Sequence, residues 1–345
     1  MYLNSICTAQ AAHRFSQMET WDTLRNHPEI DQLQPRSLAI LEKILSHSNS
    51  GIHSRQFSSK DLQSVFAKDA QALNQFFEQH APELASKALN KAIQQAGLKP
   101  DQIDALFLCT CTGYLCPGPS SYVAEMVGLR SNAYLVDLVG LGCGAAVPTL
   151  RAAHGYLAAN PTHRVAVIAV EISSAAFYLD NDPGVLISLC LFGDGAAAAI
   201  LSGQSTSDTD LKFHDFDTHH LPAEREKIRF TNSKGKLKNQ LHRTVPSLAA
   251  QAVSTLYQRR KSDPEQILAH SGGRDVIDAI EAIIPEYELI ETRQILSRHG
   301  NLSSPSVLFA LEQRLKTHPA TRSLWLTAFG AGFAAHSCHL TRTSL

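Results

Sequence analysis

The chain has 345 residues and 37.7 kDa, and its 31 Lys and Arg against 32 Asp and Glu leave a formal net charge of −1. So small a charge gives no general hold on nucleic acid or an anionic membrane. A hydrophobic content of 44%, a charged content of 18% and a mean hydropathy of −0.12 belong to a globular protein, and no apolar run approaches the roughly 18 residues of a membrane span.

In chain order, the opening Met1-Tyr-Leu-Asn-Ser-Ile-Cys-Thr-Ala-Gln has no cationic head and no apolar core, so no signal peptide is read there and a cytoplasmic location is expected. A helix is predicted over Ala85 to Ala96, closed by Gly97, followed by strands at Ala105 to Cys109 and Ala133 to Leu138. The Ala-rich stretch Gly144 to Ala159 is predicted helical, and Val165 to Val170 and Ala196 to Leu201 read as strands. From Gly203 to Arg243 the chain is polar, which predicts a loop and an exposed hairpin turning at Asn232-Ser-Lys-Gly. Beyond it lie a strand at Gln266 to Ala269, helices at Val276 to Ile284 and Ser306 to Leu315, and strands at Leu324 to Ala328 and Phe333 to Leu340. The alternation is that of an α/β protein with mostly parallel pairing. Seven cysteines, an odd count in a large chain, read as free thiols.

Two parts of the chain resemble each other in order. Asp104-Ala-Leu-Phe-Leu-Cys-Thr matches Glu265-Gln-Ile-Leu-Ala-His-Ser. Gly142-Cys-Gly-Ala-Ala-Val-Pro-Thr-Leu matches Gly300-Asn-Leu-Ser-Ser-Pro-Ser-Val-Leu, and Phe192-Gly-Asp-Gly-Ala-Ala matches Phe329-Gly-Ala-Gly-Phe-Ala. Three pairs in one order predict an internal duplication, with halves at residues 1–205 and 206–345 and the junctions at 143, 270 and 301 close to their interface.

Each of those junctions carries a residue capable of chemistry. Cys143 follows Gly140-Leu-Gly142 at the start of the Ala-rich helix, where unpaired N–H groups stabilise a thiolate; its plain reading is a small core thiol. His270 ends a strand and precedes Ser271-Gly-Gly273, at the carboxyl edge where α/β proteins place ligands, though the chain has 16 histidines. Asn301 sits at a helix start, where an N-cap is its plain role. Together the three supply a thiolate to hold an acyl group, an imidazole to pair with it and a donor for an enolate oxygen.

Val139-Gly-Leu-Gly-Cys143-Gly-Ala-Ala, Phe192-Gly-Asp-Gly-Ala-Ala, Ala269-His270-Ser-Gly-Gly, Gly300-Asn301-Leu-Ser-Ser and Phe329-Gly-Ala-Gly resemble, in order and spacing, the type III polyketide synthases, the chalcone and stilbene synthase family of the thiolase fold. The resemblance implies a thiolase-like fold of two duplicated layered α-β-α halves. It implies Cys143 as acyl-carrying nucleophile, with His270 and Asn301 as its partners in decarboxylation and condensation. By the same resemblance Phe192 lies between CoA tunnel and reaction cavity, Arg55 meets CoA phosphates, and Cys111 and Thr112 line the cavity. Ser173, Ser188 and Ser303 shape a roomy starter pocket, and Cys116 sits on a loop that crosses into a partner subunit. The chain departs from plant members at Asn239, where they carry a second gating Phe, at Ser271, and at Ala328-Phe-Gly-Ala-Gly332. Cys109, Cys111 and Cys116 do not read as a metal site, having no His nearby.

The expected activity is decarboxylative condensation of malonyl-CoA onto an acyl-CoA starter, with cyclisation, in a homodimer that uses no metal and no cofactor beyond the CoA thioesters. A fatty-acyl starter giving an alkylpyrone or alkylresorcinol is the first expectation, with malonyl or aromatic starters as alternatives. The rivals are a single-extension ketoacyl synthase, in which His is usually followed by Gln-Ala-Asn and not Ser-Gly-Gly, and a non-catalytic acyl-CoA-binding scaffold.

Overall fold

The computed structural model describes residues 1–47, 49–205 and 210–342. In chain order its strands are β1 (Tyr2–Gln10), β2 (His13–Ser16), β3 (Ser54–Phe57), β4 (Ala105–Cys109), β5 (Tyr134–Leu138), β6 (Arg164–Glu171), β7 (Gly195–Ser202), β8 (Leu211–His220), β9 (Ile228–Ser233), β10 (Lys236–Leu241), β11 (Gln266–Ala269), β12 (Ser323–Gly330) and β13 (Ala334–Arg342). Nine of them form one sheet in the order β11-β12-β13-β8-β1-β7-β6-β4-β5. Its midpoint is the short β1–β8 pairing of Tyr2 with Lys212 and Leu3 with Leu211. Outward from there the two sides follow the same scheme, antiparallel at β1–β7 and β8–β13, antiparallel at β7–β6 and β13–β12, then parallel at β6–β4 and β12–β11.

The sheet is therefore mixed, and the expectation of mostly parallel pairing is corrected: among its junctions only β11–β12, β4–β6 and β4–β5 are parallel. The reason lies in β1 and β8, which sequence reading passed over. β1 mixes buried and half-exposed positions, while β8 (LKFHDFDTHH) is half-exposed over most of its length and carries so many polar residues that it reads as loop. They occupy the centre and pair antiparallel to their neighbours.

Alternation of side chains along β7 builds the layers. Ala196, Ala198 and Ile200 face the helix Ala70–Gln95 through its Ala81, Ala85, Ala88 and Ala92. Ala197, Ala199 and Leu201 face the opposite way, into a cluster with Leu150, Ala153 and Leu157 of the helix Ala146–Ala159 and Val307, Leu308 and Leu311 of the helix Ser306–Thr317. That cluster also holds Leu268, Leu324, Leu326 and Cys338 from the other half of the sheet, so the two helices form a central layer between strands. Helices Val245–Gln258 and Arg274–Ile283 cover the far side. Small residues on facing surfaces bring helix and strand close, and burying each leucine contributes about 1.5–3 kcal/mol.

The Ala70–Gln95 helix is longer than predicted because Pro82 interrupts its pattern without ending it, while Asp69 caps it by accepting from Ala72 N at 2.8 Å. The predicted hairpin is β9–β10, whose turn at Lys234-Gly235 has both residues at positive φ, +51° and +76°. Expected to be exposed, it instead turns Ile228, Phe230, Asn239 and Leu241 onto a cavity.

Candidate active site

Cys143 lies in a single helical turn, Gly142–Gly144, that opens the Ala146–Ala159 helix. This turn is pressed against the loop after β12. A Cβ at Gly142 (φ +59°) would sit 2.7 Å from Ala331 N, and one at Gly330 would sit 2.4 Å from Gly144 N. Glycines at 142, 144 and 330 thus let the two loops touch, placing the Cys143 turn against Phe329 and Gly330.

His270 follows β11, its backbone N donating to Thr327 O at 2.9 Å and its ring set edge-on to Phe329 at 5.1 Å. It is buried, and among the described residues its Nδ1 has no hydrogen-bond partner. Asn301 is locked by its backbone, N donating to Leu191 O at 2.8 Å and O accepting from Gly193 N at 3.1 Å, which pairs it with Phe192 in a parallel bridge. Its side-chain Oδ1 accepts from Ser303 N at 2.8 Å, so the amide nitrogen is left as donor and reaches Gly272 O at 3.1 Å. An amide NH2 carries two hydrogens, and this contact uses one of them.

Cys143, His270, Asn301 and Phe192 line one cavity of about 670 Å3, with Gly272, Phe329 and the β9–β10 hairpin. Cys143 is 8% exposed. Its pKa lies well below the ordinary thiol value; the largest cause is a hydrogen bond from the Cys111 thiol, joined by the hydrogen bond and charge of His270 and by Ser303, against desolvation. Ser303 Oγ donates to Cys143 Sγ at 3.1 Å, aimed by a left-handed backbone (φ +58°) that is uncommon for a non-glycine residue. Half-buried Cys111 is shifted the opposite way, well up, by its hydrogen bond with Cys143, by desolvation and by the charge of Glu171.

On the other side of Cys143 lies a small pocket of about 20 Å3, lined by Cys111, Thr112, Ser173, Ser188, Ser303, Phe192 and Asn239 among others. Thus Cys111, Thr112, Ser173, Ser188 and Ser303 are all gathered there, but the room expected of them is not. Asn239 Nδ2 donates to Ser188 Oγ at 2.6 Å, and that hydroxyl donates to Gly184 O at 2.6 Å, so the position of the missing aromatic gate is closed by polar contacts.

Glu171, which sequence reading missed, organises this side. Its Oε2 accepts from Cys111 N (2.9 Å), Thr112 N (3.1 Å), Thr112 Oγ1 (2.9 Å) and Thr110 Oγ1 (3.2 Å). Its Oε1 accepts from Ser304 Oγ at 2.6 Å, with Ser303 Oγ and Cys111 Sγ each 3.3 Å away. Burial pushes its pKa up against these donors. The available signal was a carboxylate closing an otherwise apolar strand, since a buried charge needs partners.

Two expected residues stand elsewhere. Arg55 is fully buried, so it does not meet a phosphate at a tunnel mouth. Its Nη1 donates to Leu189 O (2.6 Å) and Phe192 O (2.9 Å) and its Nε to Gln17 Oε1 (2.9 Å), which ties down the segment bearing Phe192; burial lowers its pKa to about 10. Sequence alone cannot tell a buried guanidinium from a solvated one. Cys116 is exposed on the loop after β4, outside both cavities. Among the described residues no group of three or more His, Cys, Asp or Glu is placed to hold a metal, and no helix is long and apolar enough to cross a membrane.

Residues 3–258 match the family model described as FAE1/Type III polyketide synthase-like protein. Among curated relatives, a 3,5-dihydroxyphenylacetyl-CoA synthase of Amycolatopsis orientalis is 32% identical over 256 residues, covering 70% of this chain and 68% of its own. A 1,3,6,8-tetrahydroxynaphthalene synthase of Streptomyces peucetius subsp. caesius is 28% identical over 367 residues, covering 96% and 90%. Among solved structures, PKS-I from the brown alga Ectocarpus siliculosus superposes with a TM-score of 0.89 at 23% identity over 99% of this chain and 97% of its own. The tetrahydroxynaphthalene synthase of Streptomyces coelicolor A3(2), a bacterial type III polyketide synthase, superposes with 0.87 at 22% over all of both. The layered, duplicated architecture is the thiolase-like fold of these enzymes.

Proposed function

The chain belongs to the type III polyketide synthase family of acyltransferases, and from that premise we propose that it builds a small aromatic polyketide from malonyl-CoA on Cys143. The observation that carries this reading is the convergence of Cys143, His270 and Asn301, from three separate segments, on one cavity of about 670 Å3, with the cysteine favoured as thiolate.

In the proposed cycle the Cys143 sulfur attacks a starter thioester and CoA leaves as its thiol. Malonyl-CoA then loses its carboxyl group as CO2, and the electron pair of the broken C–C bond passes to the thioester oxygen. N–H donors of His270 and Asn301 meet that oxygen. The resulting carbon nucleophile attacks the acyl group on Cys143, forming the new C–C bond and releasing the sulfur. Phe192, tied to Asn301 by the bridge and to Arg55 through its carbonyl, stands between entrance and reacting sulfur. With Arg55 buried, the CoA phosphates fall to exposed cations of the cavity rim, Lys43 and Arg243.

The starter we propose is short, of the malonyl class, in place of the fatty-acyl group first expected. A pocket of about 20 Å3 beside Cys111 and Ser303, closed by the Asn239–Ser188 hydrogen bond, has no space for an alkyl chain. The relatives named above are called after ring products without one.

We further propose that the halves divide near residue 205, beside residues 206–209, which lie outside the described set, and that the enzyme is a homodimer. The support for pairing is β5, an edge strand with Tyr134 and Leu135 exposed and Val139 just beyond it, with Tyr114 and Met126 exposed nearby in sequence. Such an edge invites a partner. Cys116 would then reach the neighbouring cavity, and Cys116→Phe would shorten the product without changing Cys143 alkylation.

The deciding experiment is incubation with malonyl-CoA alone and with a panel of acyl-CoAs, reading products by mass spectrometry. An aromatic product from malonyl-CoA alone supports the reading. A single ketoacyl product points to the ketoacyl synthase, and no turnover with retained CoA-thioester binding points to the scaffold.

A further inference from the structure

Cys111 and Cys143 are not a chance pair of neighbours. Both sulfurs contact the same hydroxyl, Ser303 Oγ, at 3.3 and 3.1 Å, which holds the two side chains on one atom. Cys143 lines a cavity of about 670 Å3 that a molecule the size of hydrogen peroxide enters freely. Cys111 Sγ also lies 3.3 Å from Glu171 Oε1, a buried carboxylate able to take its proton. A nucleophilic cysteine, a second thiol sharing its hydroxyl partner and a base for that thiol are the parts of a peroxide-oxidised dithiol.

We infer that Cys143 and Cys111 form a reversible disulfide when the enzyme meets hydrogen peroxide, a modification site separate from the synthase reaction. Cys143 attacks one oxygen of the peroxide, the O–O bond breaks, and the other oxygen departs as water with the thiol proton, leaving a sulfenic acid. Cys111 then attacks that sulfur, its proton passing by way of Glu171 to the departing hydroxyl, which leaves as a second water. In sum, two thiols and one peroxide give one disulfide and two waters. The other buried cysteines lack these parts. Burial pushes the Cys109 and Cys190 thiols up to about 12, and that of Cys338 higher still, which keeps them protonated and inert. The disulfide would halt synthesis and shield Cys143 from the irreversible sulfinic acid.

The test uses the full chain and a mass readout, so it does not depend on turnover and stays separable from the synthase reading. Purified protein is treated with several equivalents of hydrogen peroxide, at least the two that a sulfinic acid requires, then alkylated and digested without reduction. The expected result is loss of two hydrogens from the intact mass and a linked pair of tryptic peptides, one carrying Cys143 and the other Cys109, Cys111 and Cys116. Fragmentation should locate the bond at Cys111, and dithiothreitol should reverse it. Cys111→Ser, close in size and able to keep the hydrogen bonds, should instead gain two oxygens at Cys143. Cys109→Ser should behave as wild type. A wild type that gains two oxygens at Cys143 as fast as Cys111→Ser, with no linked peptide, overturns the inference, as does a bond located at Cys109 or Cys116.

Discussion

The two sides of Cys143 are built on opposite plans. Toward the large cavity, His270 and Asn301 are lightly engaged: the buried Nδ1 of the histidine has no partner among the described residues, leaving the ring held by packing on Phe329, and Gly272 takes only one of the asparagine's amide hydrogens. Toward the small pocket, Glu171 accepts five hydrogen bonds, from Thr110 Oγ1, Cys111 N, Thr112 N, Thr112 Oγ1 and Ser304 Oγ, with Ser303 Oγ and Cys111 Sγ also at 3.3 Å, and Asn239 donates to Ser188, which donates on to Gly184. Unspent donors can follow charge as it moves during a reaction, whereas a saturated network holds one shape. The comparison assigns chemistry to the first side and geometry to the second.

The hardest way to break this division is to remove the atom both sides share. Cys143→Ala should abolish product altogether, and a Cys143→Ala protein that still releases full-length polyketide in a malonyl-CoA assay would sink the mechanism. Next come the donors on the open side. Losing one preorganised donor typically costs about 2.7–4 kcal/mol of transition-state stabilisation, so Asn301→Ala should slow malonyl-CoA decarboxylation by roughly a hundredfold or more while leaving iodoacetamide alkylation of Cys143 nearly intact. His270→Ala should slow both reactions; equal alkylation rates in His270→Ala and wild type would remove His270 as partner of the thiolate.

On the saturated side the damage should appear as instability. Glu171→Gln turns one accepting oxygen into a donor that faces other donors. Hydrogen bonds to charged groups contribute about 1.5–3 kcal/mol each, so the loss should be on the order of 3 kcal/mol in urea unfolding. A Glu171→Gln protein of wild-type stability would show that the network is not what holds this pocket.

The smallest effect expected is one of pH. His336 and His339 on β13 are buried, and burial lowers each to about 4 from an ordinary value of 6.5. The unfolded chain therefore binds more protons than the folded one between those values, and stability should fall as pH drops from about 6.5 toward 4. His336 lies behind the Cys143 turn, its ring within 3.2 Å of where a Gly144 Cβ would be. His339→Gln should flatten the slope of melting temperature against pH; an unchanged slope would assign the acid sensitivity to other groups.

Legibility followed the kind of signal each residue carries. Strands β4, β6, β7 and β11 were found because they are short apolar runs, and the Cys143, His270 and Asn301 junctions because glycines flank all three. β1 and β8 were missed because strands with many polar residues at the middle of the sheet look like loop until neighbours on both sides are known. Arg55 was misplaced because a basic residue in a polar segment carries no mark of its surroundings.

What the sequence determined by itself was the family, the duplicated order of motifs and the three residues that face the large cavity. Those depend on local backbone demands and on residue types with few substitutes for their chemistry. Only the tertiary structure decided the direction of strand pairing, the burial of Arg55, the gathering of donors on Glu171 and the size of the pocket beside Cys111 and Ser303. Each of these is a relation between segments far apart in the chain, such as Asn239 with Ser188 or Cys111 with Ser303, and no periodicity within one segment encodes such a contact.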